Sequence, residues 1–335
     1  PGHYTTSSGS IEQTECTWGY YQSESGTVRC LTSKPGHYVN QSGAAEQTPC
    51  TPGSYQNQYV KRECIEAFEG YFVAEAASPS QTRCPLGYYT DSRGSVECNL
   101  VSPGHYTTTE GATTQTPCSY GTYQPESGQS SCHYADEGHH VPEEGAIQQT
   151  PCAPGSYQAL SAMQYCIDTD PGYHTPEPGM TEQVICSAGT FQPDAGQGIC
   201  HQADKGHYVL SSGMTKQMIC SAGWYQPEVG QLECLQAQPG HYSPAAGTAD
   251  QIACEPGTYQ GRTGASNCNY AEVDHYVELA ASVSQTPCPD GSSQPLEGQS
   301  ECVFPPGLST LMILALAGVG LILVTGLVLI MRRRN

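Results

Sequence analysis

The cysteines constrain this chain more than any other feature. They stand at 16, 30, 50, 64, 84, 98, 118, 132, 152, 166, 186, 200, 220, 234, 254, 268, 288 and 302, so a shorter and a longer interval alternate without exception. One of each makes a 34-residue period, and the period occurs in nine copies. A fixed period of this size means repeated supersecondary units. Tetratricopeptide helices share the period, but each copy here carries several Gly and Pro and has no apolar 3.6-residue pattern, so helices are excluded.

Composition closes the other routes to order. Before the last thirty residues Leu, Ile, Val and Phe are scarce, while Gly, Pro, Ser, Thr, Gln and Tyr are plentiful. Such a chain cannot bury an ordinary core, and without its cysteines it reads as disordered. Many evenly spaced cysteines instead imply disulfides formed in an oxidising compartment. The opening Pro1-Gly2-His3-Tyr4 recurs downstream, as expected if the chain begins inside a longer precursor with a signal peptide.

Other residues keep the cysteine phase. Gly occupies 2, 36, 70, 104, 138, 172, 206 and 240, with Asp274 in the ninth place, and a second Gly series runs from 19 to 291. Both suit a turn at positive φ, which Asp tolerates better than most residues. Each repeat divides into related halves, Pro-Gly-His-Tyr…Gly…Gln-Thr-Pro-Cys and Pro-Gly-Ser/Thr-Tyr-Gln…Gly…Cys, a pattern that predicts small β-hairpins. A Gln three places before the first Cys, from Gln13 through Gln149 to Gln285, is present in all nine copies and is expected to bond backbone groups. The aromatics after the turns, such as Tyr38, Tyr55, Tyr106, Tyr123, Tyr225 and Tyr259, are expected to lie over the adjacent disulfide, with sugar stacking as the alternative.

Periodicity leaves two pairing registers. Pairing across the shorter interval uses every cysteine: Cys16–Cys30, Cys50–Cys64, Cys84–Cys98, Cys118–Cys132, Cys152–Cys166, Cys186–Cys200, Cys220–Cys234, Cys254–Cys268 and Cys288–Cys302. Pairing across the longer interval strands Cys16 and Cys302, so the first is preferred; an upstream cysteine would relieve Cys16 but not Cys302. The segment from Cys50-Thr-Pro-Gly-Ser-Tyr-Gln to Cys64 resembles the hairpin that opens tumour-necrosis-factor-receptor repeats. The whole array, residues 1–302, is similar to ephrin-receptor-like (GCC2/GCC3) cysteine-rich repeats, and its Gly-Thr-Tyr-Gln-Pro runs resemble large archaeal surface proteins. These resemblances imply an elongated array of small disulfide-rich β modules with the shorter-interval pairing. One departure stands out. The ephrin-receptor-like family carries a Cys-x-x-Cys between halves, whereas this chain has Cys132-His-Tyr-Ala135, Cys200-His-Gln-Ala203 and Cys268-Asn-Tyr-Ala271, so a second disulfide is missing.

After the last cysteine a Pro-rich linker (303–307) leads to an apolar stretch (308–331) long enough to cross a bilayer as one α-helix, and a basic tail (332–335) follows. Arg332, Arg333 and Arg334 place that tail in the cytoplasm and the repeats outside, which makes the lipid bilayer a partner and the cell membrane the location. Before the apolar stretch, nine Lys and Arg face 32 Asp and Glu, a net charge of −23 that excludes nucleic acid as a partner.

No reactive constellation is present: there is no nucleophile elbow, phosphate loop or His-Glu-x-x-His, and every Cys has a structural partner, so the chain is read as non-enzymatic and without cofactor. His3, His37, His105, His139, His207, His241 and His275 form a tempting metal ladder. Successive copies are one repeat apart, ~20 Å if each repeat advances by a strand length, too far to share an ion. Asp136-Glu137, Glu143-Glu144 and Asp168/Asp170 offer at most weak Ca²⁺ binding. Asn40-Gln41-Ser42 is the one N-glycosylation sequon. The uniform copies point to a surface stalk or adhesin. A ligand-capture ectodomain of tumour-necrosis-factor-receptor type, with a surface protein or glycan as ligand, is the second reading. A self-associating filament or lattice subunit is the third. For the receptor, binding is expected at the irregular third and ninth repeats, where Ala77 and Ala281 replace a turn Gly.

Overall fold

The computed structural model describes residues 1–305. Its contacts divide the chain into two units, Pro1–Thr169 with Thr175–Gln183, and Asp170–His174 with the residues from Val184 onward. The expected membrane helix 308–331 and tail 332–335 lie outside the described residues, among which no helix is long and apolar enough to cross a membrane.

Both units are built from one element, a hairpin of two very short strands. In the first repeat β1 (His3–Tyr4) pairs with β2 (Thr14–Glu15), and β3 (Tyr20–Tyr21) with β4 (Leu31–Thr32). His3 faces Glu15 and Tyr20 faces Thr32, the same register in both halves. The hairpin therefore recurs at half the repeat period, opening at His3, Tyr20 and His37 in turn, and each repeat is two such halves that differ in where they carry cysteine. The last half keeps only a bridge between Ser293 and Val303, so pairing reaches one position beyond the 302 boundary expected for the array.

Hairpins this short do not stand alone in water. Here backbone hydrogen bonds tie each half to those that follow it within a unit. In the first unit Gly19 N–H donates to Val39 O (2.8 Å), Gly36 to Gln56 (2.7 Å) and Gly53 to Val73 (2.8 Å). In the second, Gly206 donates to Gln226 (2.8 Å) and Gly223 to Ser243 (2.8 Å). A longer link returns over two halves: Gly43 N–H reaches Cys16 O (2.8 Å), and Ala77 N–H reaches Cys50 O (2.8 Å).

What is buried follows from this arrangement. The first Cys of each pair from Cys16 to Cys254 is buried, with small residues such as Ala67, Ala135, Ala203 and Ala237 at the equivalent place in the alternate halves. Val39, Val73, Val141 and Val209 fill a neighbouring place. In the alternate halves that same place holds a buried Gln: Gln22, Gln56, Gln124, Gln158, Gln192, Gln226, Gln260 and Gln294. A polar side chain is tolerated there because it is satisfied. Gln56 Nε2 donates to Glu63 O (2.8 Å) while its Oε1 accepts from Gln58 N–H (3.1 Å), so it closes the hairpin loop from inside.

The turn geometry bears out the reading of the glycines. Gly36 has φ 84° and Asp274, in the corresponding ninth place, has φ 61°. A Cβ on Gly36 would collide with the Ala77 carbonyl oxygen, so this series needs Gly for contact as well as for φ. Ala77 (φ 57°) and Ala281 (φ 59°) keep the left-handed turn of the Gly they replace. These turns of the third and ninth repeats thus depart in sequence while holding the same backbone conformation. Because an L-residue with a Cβ is strained there by ~1 kcal/mol, Ala77→Gly and Ala281→Gly should each raise stability by about that amount. Gly36→Ala should lower it by several-fold more, and thermal unfolding of the three variants checks the contrast.

Candidate functional site

All nine disulfides join cysteines across the shorter interval, a sequence separation of 14, from Cys16–Cys30 to Cys288–Cys302, and no described cysteine is free. Each bond links the first cysteine, buried in every pair but Cys288–Cys302, to the loop of the next half. It closes a covalent ring worth ~3 kcal/mol in the chain-entropy description.

Cavities lie beside some of these bonds, with post-turn aromatics among their walls. In the seventh repeat Tyr208, Leu210, Ile219, Trp224 and Leu232 enclose about 330 Å³ against Cys220 and Cys234. In the first repeat Tyr4, Glu15, Tyr20 and Arg29 line the equivalent space beside Cys30. Tyr4 and Tyr208, at the place Tyr38 and Tyr106 take in their repeats, thus share a cavity with a disulfide cysteine; Tyr55 and Tyr225 are buried, while Tyr38, Tyr106, Tyr123 and Tyr259 are half-buried. The seventh-repeat cavity has the more apolar side chains, with Leu210 where the first repeat has Thr6 and Ile219 where it has Glu15.

The recurrent histidines have a local role. Nδ1 of His3, His105, His139, His207 and His275 lies 3.1 to 3.2 Å from the carbonyl oxygen two positions earlier, and His37 and His241 make the same contact at 3.4 Å. A carbonyl only accepts, so Nδ1 carries the proton in each, and the repetition of histidine follows from repetition of the turn.

Two further histidines, not singled out by the sequence pattern, sit where other repeats have Tyr or Phe. His140 Nδ1 is 3.1 Å from Cys166 Sγ, and His174 Nδ1 is 3.2 Å from Cys200 Sγ. With the partner cysteines they form two trios, His140/Cys152/Cys166 and His174/Cys186/Cys200, whose donor atoms all lie within 4.8 Å of one another. The legible signal was a second His in His139-His140, and a displaced His in Tyr173-His174, against the usual His-Tyr.

The Gln series behaves as expected. Gln47 Oε1 accepts from Lys34 N–H (2.9 Å), Gln115 from Ser102 (2.8 Å), and Gln251 from Gln238 (2.7 Å). Gln149 and Gln217 also return a bond, Nε2 donating to Asp136 Oδ2 (2.6 Å) and Asp204 Oδ2 (2.7 Å). One carboxylate of the suspected Ca²⁺ clusters, Asp136, is thus already engaged. On the surface of the first repeats, Arg62 lies over Trp18 (5.7 Å), Arg83 over Tyr71 (5.9 Å) and Arg93 over Phe68 (5.3 Å). The Tyr71 hydroxyl also accepts a hydrogen bond from Arg83 Nε and raises the pKa of that guanidinium. Asn40 is exposed and so open to glycosylation.

Residues 70–118 match the family described as tyrosine-protein kinase ephrin type A/B receptor-like. This stretch is similar to that family, and the nine tandem disulfide repeats fit a cysteine-rich repeat protein. No curated protein matches the chain. The geometry explains how the array does without a second disulfide. Ala135 takes the same backbone bond as a buried cysteine, its N–H donating to Gly121 O (2.9 Å) as Cys118 N–H donates to Gly104 O (2.8 Å). Gln149 follows Ala135 at the same spacing that separates Cys132 from Cys118, so the Gln hydrogen bond stands where the covalent bond would be.

Two outcomes follow. Ala135→Cys with Gln149→Cys should close a tenth disulfide, seen by peptide mapping, and stabilise the array by about 2 kcal/mol after the lost Gln bonds are deducted. Gln158→Leu should destabilise by about 2 kcal/mol in chemical denaturation, because Tyr165 O and Leu160 N–H lose their buried partner.

Proposed function

We propose that the chain is a non-catalytic cell-surface protein, a stalk or adhesin whose disulfide array is held outside the cell by the segment 308–331. The observation that carries this reading is the closure of all eighteen cysteines into nine identical rings, an economy suited to an oxidising exterior. The acidic surplus supports it by keeping neighbouring copies apart and soluble. Exposed Asn40 supports decoration by glycan.

A spacer needs units that interchange, and the first hairpin of the irregular third and ninth repeats keeps the register and the left-handed turn of the regular ones. Removing residues 51–118, two whole periods, should therefore leave a folded, surface-exposed and merely shorter protein. Surface biotinylation and cell adhesion of the deletion measure this. Loss of surface display, or complete loss of adhesion from this one deletion, would overturn the reading.

The apolar groove of the seventh repeat favours a second reading, ligand capture by a receptor-like ectodomain that signals through a membrane partner. There the decisive residues are Trp224 and Leu232. Trp224→Ala combined with Leu232→Ser would abolish adhesion or capture under this reading and leave a stalk unaffected.

A further inference from the structure

In seven repeats the ring at the place of Tyr4 is Tyr or Phe, for example Tyr106 and Tyr208, and it brings no metal ligand to the cysteine pair. In the fifth and sixth it is His140 and His174, each aimed through Nδ1 at the outer sulfur of its own repeat's disulfide. Among the described residues these are the groups of three His, Cys or acidic side chains whose donor atoms converge within 4.8 Å. The inner cysteines Cys152 and Cys186 are buried, while Cys166 and Cys200 are partly open to solvent.

We propose that His140/Cys152/Cys166 and His174/Cys186/Cys200 are two thiol-gated sites for a thiophilic divalent cation of the zinc class. While the disulfide stands, the sulfurs are poor ligands and the site is shut. An external dithiol opens it: two electrons pass to the Cys152–Cys166 bond, the dithiol becomes a disulfide, and two thiols remain. The ring beside Cys166 favours this opened form, because its nitrogen, 3.1 Å from Sγ, is placed to hydrogen-bond the sulfur that the opened bond leaves. On binding, the cation displaces the two thiol protons and takes two sulfurs and one imidazole nitrogen, with water completing a tetrahedron. Sulfurs at zinc stand roughly 3.8 Å apart, a separation that side-chain rotation supplies once the bond is broken. In the other seven repeats no imidazole among the described residues joins the cysteine pair within that 4.8 Å reach.

The two sites are not equivalent. His174 Nδ1 also lies 3.1 Å from Val184 O, so its proton is shared with that carbonyl, and the ring must give up this partner before it ligates. The fifth-repeat site therefore binds more tightly than the sixth.

The test uses the full chain, a limiting water-soluble phosphine and Zn²⁺. The phosphine takes oxygen from water as it becomes phosphine oxide, leaves two thiols per bond, and competes little for zinc. Thiols are trapped by alkylation after chelation and mapped by mass spectrometry, and zinc retained after gel filtration is counted. Cys152, Cys166, Cys186 and Cys200 should be labelled about tenfold ahead of the other seven pairs. Zn²⁺ should increase that preference, and up to two ions should be retained per chain. His140→Tyr and His174→Tyr install the ring the other repeats already carry, so the fold is kept, and each should remove one ion and return its disulfide to the common rate. Uniform opening of the nine bonds, no retained zinc, or unchanged zinc in the double variant would each overturn the proposal.

Discussion

Everything in this molecule rests on the hydrogen bond from a turn N–H to a carbonyl in the following half, as from Gly36 to Gln56. Strands as short as His37–Tyr38 cannot hold a hairpin by themselves, and no helix or broad sheet is present among the described residues to dock them. The close approach that this bond needs leaves no room for a side chain at Gly36, and the carbonyl it would strike belongs to Ala77, two halves on. Position by position, the glycine periodicity is the footprint of halves pressed backbone to backbone.

The disulfides act on that scaffold rather than replace it. Reading the cysteines as a substitute for buried hydrocarbon captures half of the physics, since Val39, Val73, Ala67 and the satisfied Gln56 still make a thin buried seam. What the covalent rings add is restriction of the unfolded chain, and they add it at alternate junctions only. At the other junctions Gln47 and its equivalents hold the backbone with one amide. Post-turn aromatics line cavities beside some of these bonds, and exchanging one of them for histidine changes the local chemistry without changing the fold.

Much of this was legible in the sequence because each constraint repeats nine times. The pairing register, the hairpins, the left-handed turn at Asp274 and the backbone role of Gln149 all followed from phase. The buried Gln series was present in the Pro-Gly-Ser/Thr-Tyr-Gln motif but not read as core, since a polar residue in a polar chain carries no sign of burial. His140 and His174 escaped the pattern for a different reason. Recurrence points to the histidines whose Nδ1 protons are held by their own turns, whereas the chemically distinct ones are the exceptions to it. Likewise Ala77 and Ala281 look like breaks in the repeat, yet a methyl group is small enough for the backbone to impose its turn on them.

The alternation of ring and amide has a mechanical meaning. Along the chain, Cys16 to Cys30 is short-circuited by its bond, while Cys30 to Cys50 is not. Under tension the hydrogen-bonded junctions yield and the rings do not, so each open segment can be drawn out to a contour of at most ~70 Å, and then stops. The array is thereby a series of tethers with fixed travel, able to absorb a sudden load one junction at a time and to close again with every cysteine still beside its partner.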